Sequence, residues 1–531
     1  MSDAVVIGAG HNGLAAANYL ADAGWDVQVF EAASVPGGAV RTAEVTAPGF
    51  RNDLFSAFYP LAAASPALRA LHLEDHGLRW RRAPAVLAHP TLDGPTAVLS
   101  TDVDETAASL DEFAPGDGDA WRELYDQWER IGQRFVDTLM SPFPPVVPGL
   151  KLLSALKVEG ALDLARLALL PVRRFGEERF RGAGGGLLLA GNALHADLTP
   201  EAAGSGLFGW MLAFLGQSVG FPVPQGGASG IVDALVDRLR SRGGALECDA
   251  RVERVLVRGG RAAGVRLADG REVVARRAVL ADTTAPALFE HLVGEEHLPA
   301  GFLAKLARFQ WSAATVKVDW ALSRPVPWAD PACSRAGTVH LAPCMDDLSV
   351  YAMELATERV PKQPFLLFGQ MTTTDPTRSP AGTESAWAYT HVPRRVRGDS
   401  GGDGITGKWD DRESAAFTER VEAYVERFAP GFRDTIVARH VMTPPVLEAA
   451  NANLVGGEVN GGTAQLHQQL VFRPVPGLAR PETPVPGLYL ASSSAHPGGG
   501  VHGACGANAA KAALAHDRAA RLRRALRRAV S

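Results

Sequence analysis

The first thirty-one residues constrain the fold more than any other part of the chain. A short apolar run at 4–7 leads directly into Gly8-Ala9-Gly10-His11-Asn12-Gly13, and helical periodicity follows from residue 14 to residue 23. A second alternating run then ends at Glu31. Strand, glycine turn, helix, strand and acid in this order predict a βαβ unit that binds a dinucleotide.

Each glycine of this turn has a separate task. Gly8 permits the tight turn, Gly10 lets the backbone approach a pyrophosphate, and Gly13 lets helix and strand pack closely. We expect the pyrophosphate at the helix N-terminus beside His11 and Asn12, because free N–H groups and the helix dipole favour an anion there.

The residues after the second strand predict which dinucleotide is bound. Glu31 and Ala32 are expected at the ribose, whose two hydroxyls can donate to the Glu31 carboxylate. A second glycine pair follows in Pro36-Gly37-Gly38-Ala39-Val40-Arg41-Thr42. A plain NAD-binding unit needs no such pair, whereas a longer flavin cofactor meets a second strip of backbone. The glycines would let that strip come close, and Arg41 could pair with a phosphate.

The series GxGxxG, Glu31 and GGxxRT resembles the FAD-dependent phytoene desaturase-like oxidoreductases, which are related to carotenoid desaturases and ketolases within the flavin amine oxidase superfamily. The resemblance implies an α/β fold, in which a Rossmann-type (GR2-like) FAD-binding domain is interleaved with a mixed α+β substrate domain and a helical cap. It places the FAD-binding domain at 1–83, 222–291 and 475–531, the cap at 84–221 and the substrate-binding domain at 292–474. Non-covalent FAD is the expected cofactor.

Two later segments extend the resemblance. The Asp269-Gly270 pair between alternating runs predicts a hairpin, and a valine placed like Val252 lies against the adenine in the family. Near the C-terminus a buried strand leads into His496-Pro497-Gly498-Gly499-Gly500-Val501-His502-Gly503 and then a helix. In the family this region holds the ribityl chain and the flavin ring. The resemblance therefore adds these cofactor-binding residues: Ser492, Ser493, Gly499, Gly500 and Val501.

Several polar residues are candidates for proton transfer beside the flavin. His496 and His502 bracket the glycine-rich bend, and histidine titrates near neutral pH; either ring could instead only hold the loop. Glu458 and His467 belong to a polar cluster that lines the cavity in the family, although each could equally be satisfied within a polar loop. Further candidates are His195 and Asp197.

These features predict an FAD-dependent oxidoreductase that desaturates or oxidises an apolar substrate of the isoprenoid or carotenoid kind by hydride transfer to flavin N5. Oxygen or a quinone is the expected electron acceptor. One alternative is an amine oxidase-like or ketolase-like flavoenzyme acting on a smaller compound, because His502 replaces a proline usual in carotenoid desaturases. The other is a non-catalytic prenyl-binding escort protein of the same fold, against which the complete glycine and acid set argues.

Charge and cysteine content argue against several classes of protein. A formal net charge of −5 gives no basis for nucleic-acid binding. The four cysteines lack CxxC spacing, so no metal site or redox dithiol is expected. The first strand begins at once and no apolar run reaches the ~20 residues of a membrane span, so we expect a cytoplasmic protein. The sequence does not indicate an oligomeric state.

Residues 143–174 nevertheless point to a membrane surface. Leucines are interspersed with basic residues such as Lys151, Lys157 and Arg166, and three prolines argue against a regular helix at 143–148. Basic groups around an apolar surface are typical of an interfacial helix pair that lies on lipid, which would make the protein membrane-associated. The alternative is a helical cap over the substrate cavity with its leucines turned inward.

Overall fold

Two seven-stranded sheets organise the protein, whose structure, a computed structural model, describes residues 2–530 and the side chains of residues 2–527. The strands are β1 (Ser2–Ile7), β2 (Val27–Phe30), β3 (Thr42–Ala43), β4 (Asn52–Asp53), β5 (Trp80–Arg81), β6 (Ala85–His89), β7 (Ala97–Leu99), β8 (Val223–Pro224), β9 (Ala245–Glu247), β10 (Val252–Arg258), β11 (Arg261–Leu267), β12 (Glu272–Ala281), β13 (Ala314–Leu322), β14 (Ala336–Leu341), β15 (Arg359–Val360), β16 (Leu366–Gln370), β17 (Glu384–Val392), β18 (Gly398–Asp399), β19 (Ile436–Met442) and β20 (Leu488–Leu490).

Helices pack around both sheets. They are α1 (His11–Asp22), α2 (Pro60–Ala64), α3 (Pro66–Arg69), α4 (Val103–Asp111), α5 (Asp117–Met140), α6 (Val146–Leu167), α7 (Val172–Arg179), α8 (Gly184–Leu194), α9 (Ser205–Val219), α10 (Ser229–Ser241), α11 (Ala300–Leu306), α12 (Met345–Ala356), α13 (Met371–Thr374), α14 (Asp411–Glu426), α15 (Pro444–Ala450) and α16 (Ala504–Val530).

The first sheet has the order β10-β11-β12-β1-β2-β9, and β20 pairs with β12. Strand β1 lies between β2 and β12, parallel to both, with Val5 opposite Gln28 and Val279. Every residue of β1 is buried because helices α1, α10 and α16 cover one face and apolar side chains cover the other. The expected hairpin at Asp269-Gly270 joins β11 to β12. The predicted α/β fold with a Rossmann-type sheet is confirmed.

The second sheet has the order β19-β13-β17-β16-β14-β6-β7. Strand β13 is central and pairs antiparallel with β17 and β19. Strands β6 and β7 fall inside the range 84–221 that the sequence assigns to a helical cap, yet they form a hairpin that extends this sheet through β14. Their buried apolar runs need a sheet partner, and β14 supplies it. The domain boundaries themselves stay predictions.

Helices α4 to α9 form a helical layer with its own apolar core. Helices α8 and α9 are apolar on nearly all sides and occupy its centre, which agrees with the burial of most of their residues. Helix α5 is amphipathic and turns Trp121, Leu124, Trp128 and Ile131 toward that centre.

Helix α6 is the outermost element of the layer. It begins at Val146, so the expectation of no regular helix at 143–148 is wrong for its last three residues; Pro148 is tolerated because the first turn has no acceptor for its N–H. The helix is kinked at Lys157, where φ is 56°. Leu152 is buried, whereas much of the apolar surface faces outward, at Val146, Val147, Leu150, Leu153, Val158 and Leu162. One side of helix α6 therefore packs inward and the other is exposed, and contact of the exposed side with a lipid surface stays a prediction.

No helix in the described part of the chain is both long and apolar enough to cross a bilayer.

Candidate functional site

The first glycine turn has the geometry that the sequence predicts. Gly8 has a φ of 91°, which L side chains rarely adopt. A Cβ at Gly13 would collide with the Gly8 carbonyl oxygen, so α1 can approach β1 only with glycine there. Gly10 precedes the first helical residue, His11, and the first N–H groups of α1 therefore point into the turn.

The second glycine pair lies directly against the first turn. Gly10 and Gly37 form a parallel bridge, and the Gly37 N–H donates to the Ala9 carbonyl at 2.9 Å. A Cβ on Gly38 would lie 3.4 Å from the Gly10 Cα. The two strips of backbone that the sequence assigns to one cofactor are therefore neighbours.

Glu31 lies at the tip of β2, as the ribose site requires. Its carboxylate accepts hydrogen bonds from the Ala9 N–H at 2.7 Å and the Ala33 N–H at 2.9 Å. The Glu31 carbonyl accepts from the Ala250 N–H at 2.8 Å. This bond brings the residues just before Val252 to the same edge of the sheet as Glu31. Ala32 is exposed beside it, and Val252 is buried in the adjoining core.

The C-terminal glycine-rich bend meets the N-terminal turn. A Cβ on Gly503 would lie 3.2 Å from the Ala15 Cβ, and one on Gly506 would collide with the Asn12 carbonyl oxygen. Helices α1 and α16 consequently pack side by side with their N-termini together. The bend from Gly498 to Gly503 thus lies at the open end of the dinucleotide turn.

Orphaned polar atoms show that this cleft suits a cofactor. Among the described residues, two buried atoms around the turn have no hydrogen-bond partner: Asn12 Oδ1 and Thr283 Oγ1. Buried polar atoms are almost always paired, so these two mark where a polar ligand belongs. Burial also lowers the pKa of His11 to about 3, which keeps its ring neutral.

Both histidines of the bend make structural hydrogen bonds. His502 Nδ1 accepts from the Ala504 N–H at 3.0 Å, and its Nε2 donates to the Gly498 carbonyl at 3.2 Å. His496 Nε2 donates to the Ser141 carbonyl at 3.1 Å. Burial lowers the pKa of each ring to about 4, so both are neutral near neutral pH. Their roles in proton transfer stay predictions.

Glu458 and Arg473 clamp one turn of the polar cluster from opposite sides. Fully buried Glu458 accepts from the N–H groups of Asn460 at 2.7 Å and Gly461 at 3.0 Å. Fully buried Arg473 donates to carbonyl groups of the same turn and of the segment after β20, at Asn460, Gly461, Gly462, Thr463 and Ser493. Burial raises the pKa of Glu458 and lowers the pKa of Arg473. The clamp fixes this turn against the bend, because a Cβ on Gly499 would lie 2.9 Å from the Asn460 carbonyl oxygen.

A buried acid–histidine pair lies one side chain away from the bend. Asn460 Nδ2 donates to one carboxylate oxygen of Asp197 at 2.6 Å, and His391 Nε2 lies 2.7 Å from the other. Burial alone would lower the pKa of His391, but the Asp197 carboxylate outweighs that effect and raises it. Burial, together with the nearby His391, lowers the pKa of His195 to about 3.

Other predicted site residues are placed less directly. His467 is exposed and bonds Gln310 Oε1 at 2.8 Å, so it is not part of the acid–histidine pair. The Arg41 guanidinium donates to the carbonyls of Gly38 at 2.9 Å and Ala450 at 2.8 Å. The Thr42 hydroxyl donates to Asp53 at 2.7 Å, which ties the second glycine strip to the body of the fold.

Asp282 and His391 belong to this site, and neither was predicted from the sequence. Asp282 follows β12, and its carboxylate accepts from the Gly13 N–H at 2.9 Å, directly below the expected pyrophosphate. Burial raises its pKa to about 7. The buried run that ends at Ala281 was a usable signal, because parallel strands deliver their carboxyl ends to one edge.

Residues 13–352 match the family described as flavin containing amine oxidoreductase. The chain belongs to this family. It is also similar to pyridine nucleotide-disulfide oxidoreductase domain-containing protein 2 of Mus musculus, with 31% identity over 96% of this chain and 92% of that protein. A phytoene desaturase (lycopene-forming) of Pseudescherichia vulneris is 27% identical over 97% of this chain and 99% of that protein.

A solved oxidoreductase from Methanosarcina mazei shares the fold with a TM-score of 0.60, at 17% identity over 96% of this chain and 99% of that one. Family and geometry agree, and the chain is an FAD-dependent oxidoreductase of the flavin amine oxidase superfamily, related to the carotenoid desaturases. The residues that would hold FAD are those of the glycine turn, Glu31, the second glycine strip and the C-terminal bend.

Proposed function

We propose that this flavoenzyme desaturates or oxidises an apolar substrate of the isoprenoid kind, with oxygen or a quinone as the final electron acceptor. Bound FAD supplies the two-electron acceptor for a hydride from a substrate C–H bond. The protein has to bring an apolar molecule to the bend, exclude water and remove the accompanying proton.

The observation that carries this proposal is the connection between the bend and the exposed apolar side of α6. His496 bonds the Ser141 carbonyl, and the Phe143 ring lies edge-on to His496 with centroids 6.2 Å apart. The exposed apolar residues of α6 begin only three positions later, at Val146. This closeness in sequence and space supports the proposal that an apolar substrate reaches the flavin side along the segment between the bend and α6.

The polar side of the site suits proton removal. The Asp197 carboxylate lies 2.7 Å from His391 Nε2 and reaches the bend through Asn460. When a hydride leaves one substrate carbon, a proton leaves the neighbouring atom, and the Asp197 carboxylate can receive it while His391 stabilises the charge of the pair. A substrate desaturated in this way loses one hydride and one proton, and gains one carbon–carbon double bond.

Amine chemistry receives less support from the bend. A flavin amine site benefits from aromatic rings that stabilise a cationic substrate. The bend His496-Pro497-Gly498-Gly499-Gly500-Val501-His502-Gly503 contains no phenylalanine, tyrosine or tryptophan. The bend itself therefore supplies no aromatic ring for a cation, although Phe143 lies beside His496 and Tyr389 lies beside His391.

Anaerobic mixing of the holoenzyme with candidate substrates tests the proposal. Isoprenoids in detergent, among them phytoene and shorter polyenes, are expected to bleach the flavin absorbance near ~450 nm. Primary and secondary amines are expected to leave it unchanged. Bleaching by amines alone would replace this proposal with the amine oxidase alternative, and no bleaching by any compound, with chemical reduction intact, would favour the escort alternative.

A further inference from the structure

A second cavity lies within the helical layer, away from the flavin side. Helices α5, α6, α7 and α9 enclose about 220 Å³. Its walls combine polar and apolar side chains; the apolar ones include Leu124 and Ile131 from α5, Leu164 and Leu167 from α6, and Trp210 from α9.

The cavity is separate from the cleft that suits FAD. Ile131 precedes Met140, the α5 residue whose carbonyl accepts from Asn508 of α16, by nine residues. Nine residues of helix span about 14 Å. A ligand in this cavity would therefore lie at a different position along α5, outside the flavin site.

Trp210 gives the first indication that the cavity binds a ligand. Its side chain is 2% exposed, yet its indole N–H has no acceptor among the described residues. The neighbouring tryptophans of the same core are both satisfied: Trp121 donates to Gln217 at 3.0 Å and Trp128 donates to Ser218 at 2.7 Å. A buried donor at a cavity wall, left unpaired beside two paired ones, calls for an acceptor from a ligand.

Two arginines at the rim give the second indication. The guanidinium groups of Arg130 and Arg179 line the cavity and form no ion pair or hydrogen bond within residues 2–527. Arg166, which also lines it, is by contrast held by Glu178 through two bonds of 2.8 and 2.7 Å. Asp163 contributes one negative charge to the lining. The two unpaired guanidinium groups outnumber it, so the net charge of these three groups is positive.

We propose that this cavity binds one anionic amphiphile, an apolar chain that carries a carboxylate. The chain lies against the leucines, and the head group supplies acceptor oxygens to the indole N–H of Trp210 and to the guanidinium groups of Arg130 and Arg179. This second site is independent of the compound that the flavin oxidises.

Calorimetric titration of the holoenzyme with decanoate below its micelle concentration tests the proposal. We expect one decanoate to bind per chain, decanol to bind at least about tenfold more weakly, and decyltrimethylammonium not to bind. The flavin spectrum should stay oxidised throughout anaerobic addition of decanoate, which separates this site from the substrate site. Absence of decanoate binding, or equal binding of the three compounds, would overturn the proposal.

Variants locate the binding site. Arg130→Gln combined with Arg179→Gln should weaken decanoate binding about tenfold or more, because two charged donors are lost. Trp210→Phe should weaken it about fivefold while keeping an aromatic wall. The matched control combines Arg134→Gln with Arg181→Gln, which removes two exposed charges that do not line the cavity and should leave binding unchanged.

Anionic phospholipid vesicles separate a free carboxylate from a membrane head group. Vesicle binding should be the same for the Trp210→Phe variant and the parent protein, since the cavity lies beneath α6. If Trp210→Phe and the arginine pair change vesicle binding but not decanoate binding, the cavity does not hold a free amphiphile and the proposal fails.

Discussion

Asp282 shows how one buried carboxyl group can make cofactor binding depend on pH. It lies against the N-terminus of α1 and bonds the Gly13 N–H, in the place where a pyrophosphate is expected. Because burial raises its pKa to about 7, the group changes charge within the physiological range. A negative Asp282 repels a phosphate, whereas a protonated Asp282 does not.

We predict that FAD affinity falls as the pH rises from about 6 to about 8, by about fivefold if the phosphates raise the Asp282 pKa by about one unit. Asp282→Asn should remove this dependence, because its amide oxygen can still accept from Gly13. Fluorescence titration of the flavin-free protein with FAD measures this pH dependence in the parent and in the variant. Exposed Asp269→Asn is the control and should retain the parent's pH dependence.

The same residue gives a signed prediction for stability. Folded Asp282 keeps its proton to about pH 7, whereas the unfolded chain loses it near the ordinary value of 3.8, so its contribution to stability falls as the pH rises between these values. Asp282→Asn should therefore stabilise the flavin-free protein more at about pH 8 than at about pH 5. Thermal unfolding at both pH values measures the gain in stability. An equal gain at the two pH values would contradict this prediction.

Asp197 should control the rate of flavin reduction rather than substrate binding. Asp197→Asn keeps the size of the side chain but loses the proton acceptor, so we predict that reduction slows by about a hundredfold and that its pH dependence disappears. Stopped-flow spectroscopy under anaerobic conditions gives rate and affinity separately. The control is Asp319→Asn, which alters a fully buried acid that is paired with Lys317 in the second sheet. An unchanged pH profile in Asp197→Asn would reduce the pair to a structural role.

At the scale of elements, local signals predicted well and distant contacts did not. The β1–α1–β2 unit could be predicted because Gly8, Gly10 and Gly13 meet the needs of one short turn. The contact of Asp282 with Gly13 joins positions 269 residues apart, and no local pattern encodes it. The Asp197–His391 pair could not be predicted for the same reason, because the loop after α8 meets strand β17 only in the folded chain.

Helix α6 shows a different limit of prediction. The alternation of leucine and basic residues was visible, but the packing of α6 against α5 sets which leucines are buried, and the helix is also kinked at Lys157. Outward-facing Leu153 and Leu162 are 54% and 67% exposed, whereas Leu152 packs inward. Sequence periodicity cannot assign faces across such a kink.

We predict that the protein floats with vesicles containing anionic lipid and that Leu153→Asp combined with Leu162→Asp abolishes flotation. Full burial of a leucine is worth about 1.5–3 kcal/mol, so losing two should weaken vesicle affinity by more than about tenfold. The matched control is Leu522→Asp with Leu526→Asp on α16, where both leucines are similarly exposed. Equal loss in the control, or no flotation of the parent, would end the case for α6 as a lipid-binding surface.

At the scale of the whole molecule, the FAD cleft joins segments from both ends of the chain, so the cofactor should stabilise the entire fold. The purified protein should be yellow and should release unmodified FAD on heating. Removing FAD should lower the melting temperature, and FAD at about a hundred times its Kd should restore about 2.7 kcal/mol. Calorimetry with and without added FAD measures the change. Flavin that stays attached after denaturation would show a covalent bond and contradict the expected non-covalent cofactor.

The pairing of β20 with β12, and of α16 with α1, has a consequence for biosynthesis. The nucleotide turn precedes the bend that completes the cleft by most of the sequence, so it leaves the ribosome well before the bend does. A nascent chain can form the turn early but has nothing to close over the flavin until the bend has been synthesised. Stable cofactor loading should therefore wait for the bend, and a chain cut short before α16 should be colourless.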